Sequence, residues 1–359
     1  MKILIIQQKM IGDVLTSSIL CEAIKQHNSS AEIHYLVNKN TVPVVENNPF
    51  IDQLVIFSPE YEQSSFKFFK FLQQIKAEKY DVVIDVYGKL SSALITAFSK
   101  AKIKIGFRKK KYSSLLYTHS FSNELVRNKS VGLAYENRLN LLQPILNKQD
   151  IDYSIQPKIC ISNSEKEKIL KLAEEENLNL KDKTFAMINV LGSDSSKTYP
   201  LKYMASLLDE IVANFPNLYL LFNYIPKQEP DVNQLLALCK PETKSRISSY
   251  YAPSLREFIV LTSFCKMVIG NEGGAINMGK ALNLPTFAIF SPWVRKETWG
   301  THDEDKMNKT VHLKDFEPIR FENYSQKNFK ANSENLYRAF KPEFIKLNLV
   351  KFISDNITN

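Results

Sequence analysis

One pattern constrains this chain most: short β-branched runs alternate with helix-patterned stretches, and the whole alternation is played through and then restarted. In the first half, residues 2–8, 32–37, 53–57, 81–86 and 102–106 read as strands, with helix-like segments between most of them. From Lys183 the pattern begins again, with strands expected at 184–190, 217–223, 266–270 and 286–290. Helices are expected at 200–215, 230–239, 254–264 and 275–283. Such alternation predicts parallel sheets with helices on both faces. At 359 residues the chain also exceeds the size at which one hydrophobic core usually stops growing, so two α/β domains are expected. Gln156-Pro157 opens a more polar stretch that leads into a charged helix at 164–177, placing the boundary near residue 155. The domains are then 1–155 and 156–335. Residues 332–353 read as amphipathic helix, with Leu336, Phe340, Phe344, Ile345 and Leu347 available for burial and Pro342 dividing it. The last segment, 336–359, is expected to pack back toward the first domain.

Composition enters mainly by exclusion. Apolar residues make up 44% and charged residues 24%, so wholesale disorder is excluded. No apolar run approaches the roughly 20 residues a bilayer span needs, and the strand-like start after Lys2 resembles no signal peptide. Cys21, Cys160, Cys239 and Cys265 are scattered, without metal-ligand spacing, and read as reduced thiols of a cytoplasmic protein. A formal net charge of +9 points to an anionic partner. The basic segment Phe107-Arg108-Lys109-Lys110-Lys111-Tyr112 lacks any recognised nucleic-acid motif, which leaves a phosphorylated substrate, an anionic membrane surface, or a merely solvated loop.

Ligands of parallel sheets bind beyond the carboxyl ends of the strands, so chemistry is sought in the segments that follow them. After the first strand comes Gln7-Gln8-Lys9-Met10-Ile11-Gly12-Asp13-Val14. It has one glycine, not the glycine-rich dinucleotide fingerprint, and argues against an NAD enzyme. Asp13 is either a helix N-cap or a general base beside a cleft. Late in the chain, a strand runs into Asn271-Glu272-Gly273-Gly274-Ala275-Ile276-Asn277. Two glycines at a helix start expose backbone N–H groups where a diphosphate can approach, and Glu272 can accept hydrogen bonds from sugar or ribose hydroxyls; an ordinary turn is the alternative. The third segment, Val190-Leu191-Gly192-Ser193-Asp194-Ser195-Ser196-Lys197-Thr198-Tyr199-Pro200, offers hydroxyls and one ammonium to phosphate oxygens, or simply caps a helix. Asp303-Glu304-Asp305 contains an Asp-x-Asp triplet, but it lies in a charged segment and reads as a solvated loop.

Together and in this order, these segments resemble glycosyltransferase family 9, which contains the lipopolysaccharide heptosyltransferases. The Gly12-Asp13 loop is similar to that family's first-strand motif. Gly270 to Asn277, then Ala281-Leu282 and Pro285-Thr286, resemble its C-terminal signature, and Ile103 to Gly106 and Tyr135 to Arg138 fall where the family has a short strand and a helix. The resemblance implies two facing Rossmann-like domains of the GT-B type with a central cleft, inversion at the anomeric carbon, and no required metal or cofactor. It places Asp13 as catalytic base, with Lys197 on the donor phosphates. Donor binding then falls to Ser193, Ser195, Ser196, Glu229, Glu272, Gly273, Gly274 and Ala275. Gly12, Lys109, Lys110 and Lys111 fall on the acceptor side. The implied partners are a nucleotide sugar, with ADP-heptose as candidate, and a glycolipid acceptor at the cytoplasmic membrane face, with no nucleic acid. Asn277 stands where many relatives carry histidine, and Glu272 where they carry aspartate. Two alternatives stay open: an enzyme such as an epimerase acting on another nucleotide sugar, and a non-catalytic sugar-nucleotide or glycan-binding protein.

Overall fold

A computed structural model describes residues 1–108, 113–124, 131–300, 306–323 and 325–357. The chain divides into two compact units, Met1–Cys160 and Ile161–Asn359, a few residues beyond the boundary expected from sequence. Each unit is a parallel sheet with helical crossovers.

In the first unit the strands are β1 (Lys2–Ile6), β2 (Glu32–Asn38), β3 (Gln53–Phe57), β4 (Val82–Asp85), β5 (Ile103–Phe107) and β6 (His119–Phe121), in the order β3-β2-β1-β4-β5-β6. Every neighbouring pair is parallel. Ile3 to Ile6 are all fully buried because β1 is central and covered on both sides. Leu4 and Ile6 join Leu36, Val83, Phe71, Ile75 and Ile95 in one core cluster. Full burial stabilises each such side chain by about 1.5–3 kcal/mol. The opposite side holds Tyr35, whose hydroxyl donates to the Val14 carbonyl at 2.7 Å and fastens the helix Ile11–Ser17 onto β2.

In the second unit, β7 (Thr184–Asn189), β8 (Leu218–Asn223), β9 (Met267–Asn271), β10 (Thr286–Ile289) and β11 (Asn308–Val311) run in the order β11-β10-β9-β7-β8, again parallel. The strand order reverses between β1 and β4 in the first sheet and between β7 and β9 in the second. At such switch points the loops leave in opposite directions and open a crevice at the carboxyl edge. The segments singled out by sequence leave from three of these four strands.

The sequence reading did not include β6 and β11. Both are short, and Asn308-Lys309-Thr310-Val311 carries too little apolar pattern to register. The tail forms the helices Ser333–Ala339 and Glu343–Ile357, divided at Pro342 as expected. The side chains Leu336, Phe340, Ile345, Leu349, Phe352 and Ile353 lie in the core cluster of the second unit. Phe352 lies with its ring 5.5 Å from that of Phe287, and Lys346 pairs with Glu210. Leu347, expected to be buried, is 83% exposed. The helix restarts after Pro342, and its inward stripe is set by Ile345, Leu349, Phe352 and Ile353, which turns Leu347 outward.

Candidate active site

In the first unit the loop after β1 passes through Met10, held at a positive φ of 69°, before the helix Ile11–Ser17 begins. Asp13 sits in the first turn of that helix and its side chain makes no capping bond, so the N-cap reading does not describe it. Instead Arg138 Nη2 donates to Asp13 Oδ1 at 2.6 Å. Arg138 lies on the helix Leu133–Leu139, where its Nε donates to Ser17 Oγ at 2.9 Å and its Nη1 to the Ala134 carbonyl at 2.8 Å. The arginine side chain is 10% exposed and the aspartate 32%. A nearly buried guanidinium fixed at three points therefore aims a carboxylate that remains open to solvent. Asp13 Oδ2 takes no hydrogen bond among the described residues.

Across the switch point, β4 ends in the fully buried Asp85, whose carboxylate accepts from Tyr117 Oη at 2.6 Å and from the Gly88 backbone N–H at 2.8 Å. This shapes the turn facing the Asp13 loop. Gly12 lies beside Asp13 in the same helix. Lys109, Lys110 and Lys111 fall outside the described residues, as does the Asp303-Glu304-Asp305 triplet.

In the second unit three asparagines tie the strand ends together. Asn223 Nδ2 donates to Asn189 Oδ1 at 2.9 Å, and Asn189 Nδ2 donates to the Asn271 carbonyl at 2.6 Å. Asn271 Nδ2 in turn reaches the Asn189 and Val190 carbonyls at 3.0 and 2.8 Å, and its Oδ1 accepts from the Tyr199 backbone N–H at 2.7 Å. Gly270 (φ 132°) is required there, because a Cβ would lie 2.3 Å from the Asn189 carbonyl oxygen. The effect is to lock the β9 exit against the loop leaving β7.

That loop is organised by Asp194, which the sequence reading did not single out. Its carboxylate accepts from the Ser196 backbone N–H at 2.9 Å and from the Ser196 hydroxyl. These bonds, with Lys330 and Lys197 nearby, hold its carboxyl below the usual range despite partial burial. Ser193 and Ser195 are exposed at the loop surface. The Ser196 carbonyl accepts from Ser291 Oγ at 2.7 Å and from Trp293 Nε1 at 2.8 Å, so the segment after β10 braces the loop from behind.

Glu272 leaves β9 into this setting. It is 7% exposed, and burial pushes its carboxyl up to about 7, with Lys197 acting against that rise. Lys197 Nζ lies 3.8 Å from Oε1, an ion pair beyond hydrogen-bond reach, and Oε1 has no hydrogen-bond partner. Such an atom wants a donor, and ligand hydroxyls are donors. Gly273 follows with φ 143°, and a Cβ there would meet nothing within 4 Å. Conformation, not crowding, calls for glycine, and the open space lies at the start of the eight-residue helix Gly274–Ala281. Ala275 is buried in its first turn. The structure thus brings Lys197, Ser196, Glu272, Gly273 and Gly274 to one carboxyl edge. Glu229 is exposed at the start of the helix Glu229–Leu238, while its neighbour Gln228 donates to the Gly192 carbonyl at 3.1 Å and links the two loops.

The chain thus has two parallel-sheet domains of the GT-B type, with a carboxylate at one switch point and a lysine, glutamate and glycine turn at the other. Residues 68–324 match the model of glycosyltransferase family 9 (heptosyltransferase), and the chain belongs to that family. It is 26% identical over 293 residues to lipopolysaccharide heptosyltransferase 1 of Campylobacter coli, covering 81% of this chain and 84% of that protein. Among solved structures, a family 9 glycosyl transferase from Veillonella parvula is similar with a TM-score of 0.72 at 16% identity, covering 94% and 97% of the two chains. The E. coli ADP-heptose LPS heptosyltransferase II is similar with a TM-score of 0.69 at 18% identity, covering 87% and 90%.

Proposed function

We propose that this enzyme transfers heptose from ADP-heptose to a lipopolysaccharide core acceptor, with inversion and without a metal. The observation that carries the reading is the pairing of Asp13 with Arg138, which presents one free carboxylate oxygen at the first sheet's switch point. Asp13 Oδ2 takes the proton of the attacking acceptor hydroxyl. The hydroxyl oxygen forms a bond to the anomeric carbon while the bond from that carbon to the diphosphate oxygen breaks, and the electron pair leaves on ADP. Lys197 and the backbone N–H groups at Gly274 stabilise the charge that builds on the departing diphosphate, where other transferases use a metal ion. Glu272 accepts donor hydroxyls through its unpartnered Oε1. The base and the sugar follow the names of the Campylobacter and E. coli relatives.

The test is a panel of ADP-, UDP-, GDP- and CMP-sugars with EDTA present, reading nucleotide release with and without a heptose-free lipid core. Acceptor-dependent release from ADP-heptose alone is expected. Release only after magnesium is restored sinks the metal-free step, and release from a different donor sinks the assignment of ADP-heptose.

For contact with an anionic membrane at the cytoplasmic face, support comes from the helix Ser65–Ala77. Its outer side shows Phe66 and Phe69, 66% and 50% exposed, beside Lys67, Lys70 and Lys76, with no acidic residue in the segment. No helix among the described residues is long and apolar enough to cross a membrane. Replacing both phenylalanines by serine should lower co-sedimentation with phosphatidylglycerol vesicles; unchanged binding would exclude this face.

A further inference from the structure

Lys330 has entered so far only as a charge near Asp194. It lies on the helix Gln326–Ala331, past residue 324, where the match to the family ends. Phe329 anchors that helix, its ring 5.1 Å from that of Phe321. The neighbouring Lys330 places its ammonium 4.8 Å from the centroid of the Trp293 indole. Lys197 places its own ammonium 5.3 Å from the same centroid. The indole is fixed, because its Nε1 is spent on the Ser196 carbonyl.

Two ammonium groups gathered on one ring repel each other unless an anion joins them. Among the described residues Lys330 forms no ion pair, and Lys197 has only the long contact to Glu272. Cation–π attraction is worth only about 0.5–1 kcal/mol at an exposed site, enough to orient an ammonium but not to neutralise it. Asp194, whose charged form both ammonium groups favour, is held by the Ser196 hydroxyl and backbone N–H, and among the described residues it forms no ion pair with either lysine. The Trp293 ring bonds to the Ser196 carbonyl of the serine loop, and Lys197 lies 3.8 Å from Glu272, the residue before the Gly273 turn, where a Cβ would meet nothing within 4 Å.

We infer that Lys330 is a second cation for the donor's diphosphate, held with Lys197 on the Trp293 ring so that the two ammonium groups take different phosphate oxygens. The inference rests on the reading of this edge as the donor site. It adds a phosphate contact contributed by the C-terminal segment, and Trp293 becomes the surface that spaces the two charges. A diphosphate carries more charge than one lysine can meet, and a hydrogen bond between ionised partners is stronger than a neutral one. Lys330 therefore reads phosphate, not sugar or base.

The experiment compares the wild type with Lys330→Ala and Lys330→Arg, titrating ADP, inorganic pyrophosphate and adenosine by calorimetry at fixed ionic strength. Lys330→Ala should weaken ADP and pyrophosphate by about tenfold or more, the equivalent of at least about 1.4 kcal/mol, and leave adenosine within about twofold. Lys330→Arg should recover most of the loss, and the melting temperature should stay put in both variants. Unchanged ADP affinity in Lys330→Ala overturns the inference while leaving the donor site intact. Equal losses for ADP and adenosine also overturn it, since they mean that Lys330 only supports the fold. If the wild type binds pyrophosphate but not ADP, the assignment of the base fails, and the pyrophosphate arm still decides on Lys330. If it binds neither, the donor-site reading falls and the inference with it.

Discussion

Replacing Glu272 by glutamine should change how stability depends on pH, and the size of the effect follows from the structure. The carboxyl is buried at the β9 exit, its Oε1 lacks a hydrogen bond, and its pKa is pushed from 4.5 to about 7. A carboxyl whose folded pKa is raised favours folding fully below the unfolded value, and that contribution is lost as pH rises through the folded value. The loss therefore begins near pH 4.5 and is complete somewhat above pH 7. At about 1.4 kcal/mol per unit, it amounts to about 3 kcal/mol. Glutamine has nearly the same shape and no charge to bury, so the variant should match the wild type near pH 4.5 and exceed it by up to about 3 kcal/mol at pH 8. Urea unfolding read by tryptophan fluorescence measures this cleanly, since both tryptophans of the chain, Trp293 and Trp299, lie in the second unit. The difference between the two proteins isolates Glu272 from other titrating groups such as the buried His312. Parallel stability curves from pH 5 to pH 8 would show that the carboxyl bears no burial penalty. The same variant should bind donor more weakly, because a neutral amide accepts sugar hydroxyls less strongly than a carboxylate does.

Two further substitutions follow from the same geometry. Arg138→Met removes a nearly buried cation that holds Asp13, Ser17 and Ala134; it should lower stability by about 3 kcal/mol and lower turnover with little change in donor affinity, as measured by denaturant unfolding and steady-state kinetics. Asn271→Leu breaks bonds to Asn189, Val190 and Tyr199 and strands their backbone groups, so it should cost about 3 kcal/mol or more and weaken ADP binding, seen by calorimetry, through misplacement of the 193–197 loop.

Much of the site was legible because it follows strands. Asp13 and the Gly273-Gly274 turn lie in segments that follow apolar strands, where parallel sheets put their ligands, and Gly273 marks a backbone conformation other residues resist. Arg138 was not legible, although its segment was noticed: nothing local says that a side chain 125 positions away aims Asp13. Asn189 and Asn271 look like ordinary strand ends, and their role exists only once β7 and β9 are paired. Asp194 was hidden by its own loop, where serines and a lysine drew the eye to phosphate and away from the residue that shapes the turn. Glu229, which the resemblance places at the donor, is exposed at the start of its helix, while its neighbour Gln228 makes the link to Gly192.

The central claim is that Asp13 removes the acceptor proton, and Asp13→Asn tests it most directly. The variant keeps the side chain's shape and a hydrogen-bond acceptor for Arg138 but cannot take a proton. With donor affinity checked by ADP titration, transfer is measured in a single turnover at saturating donor and acceptor. The account predicts wild-type ADP binding with transfer slowed by about a hundredfold or more. Transfer at the wild-type rate, with ADP binding intact, would contradict it.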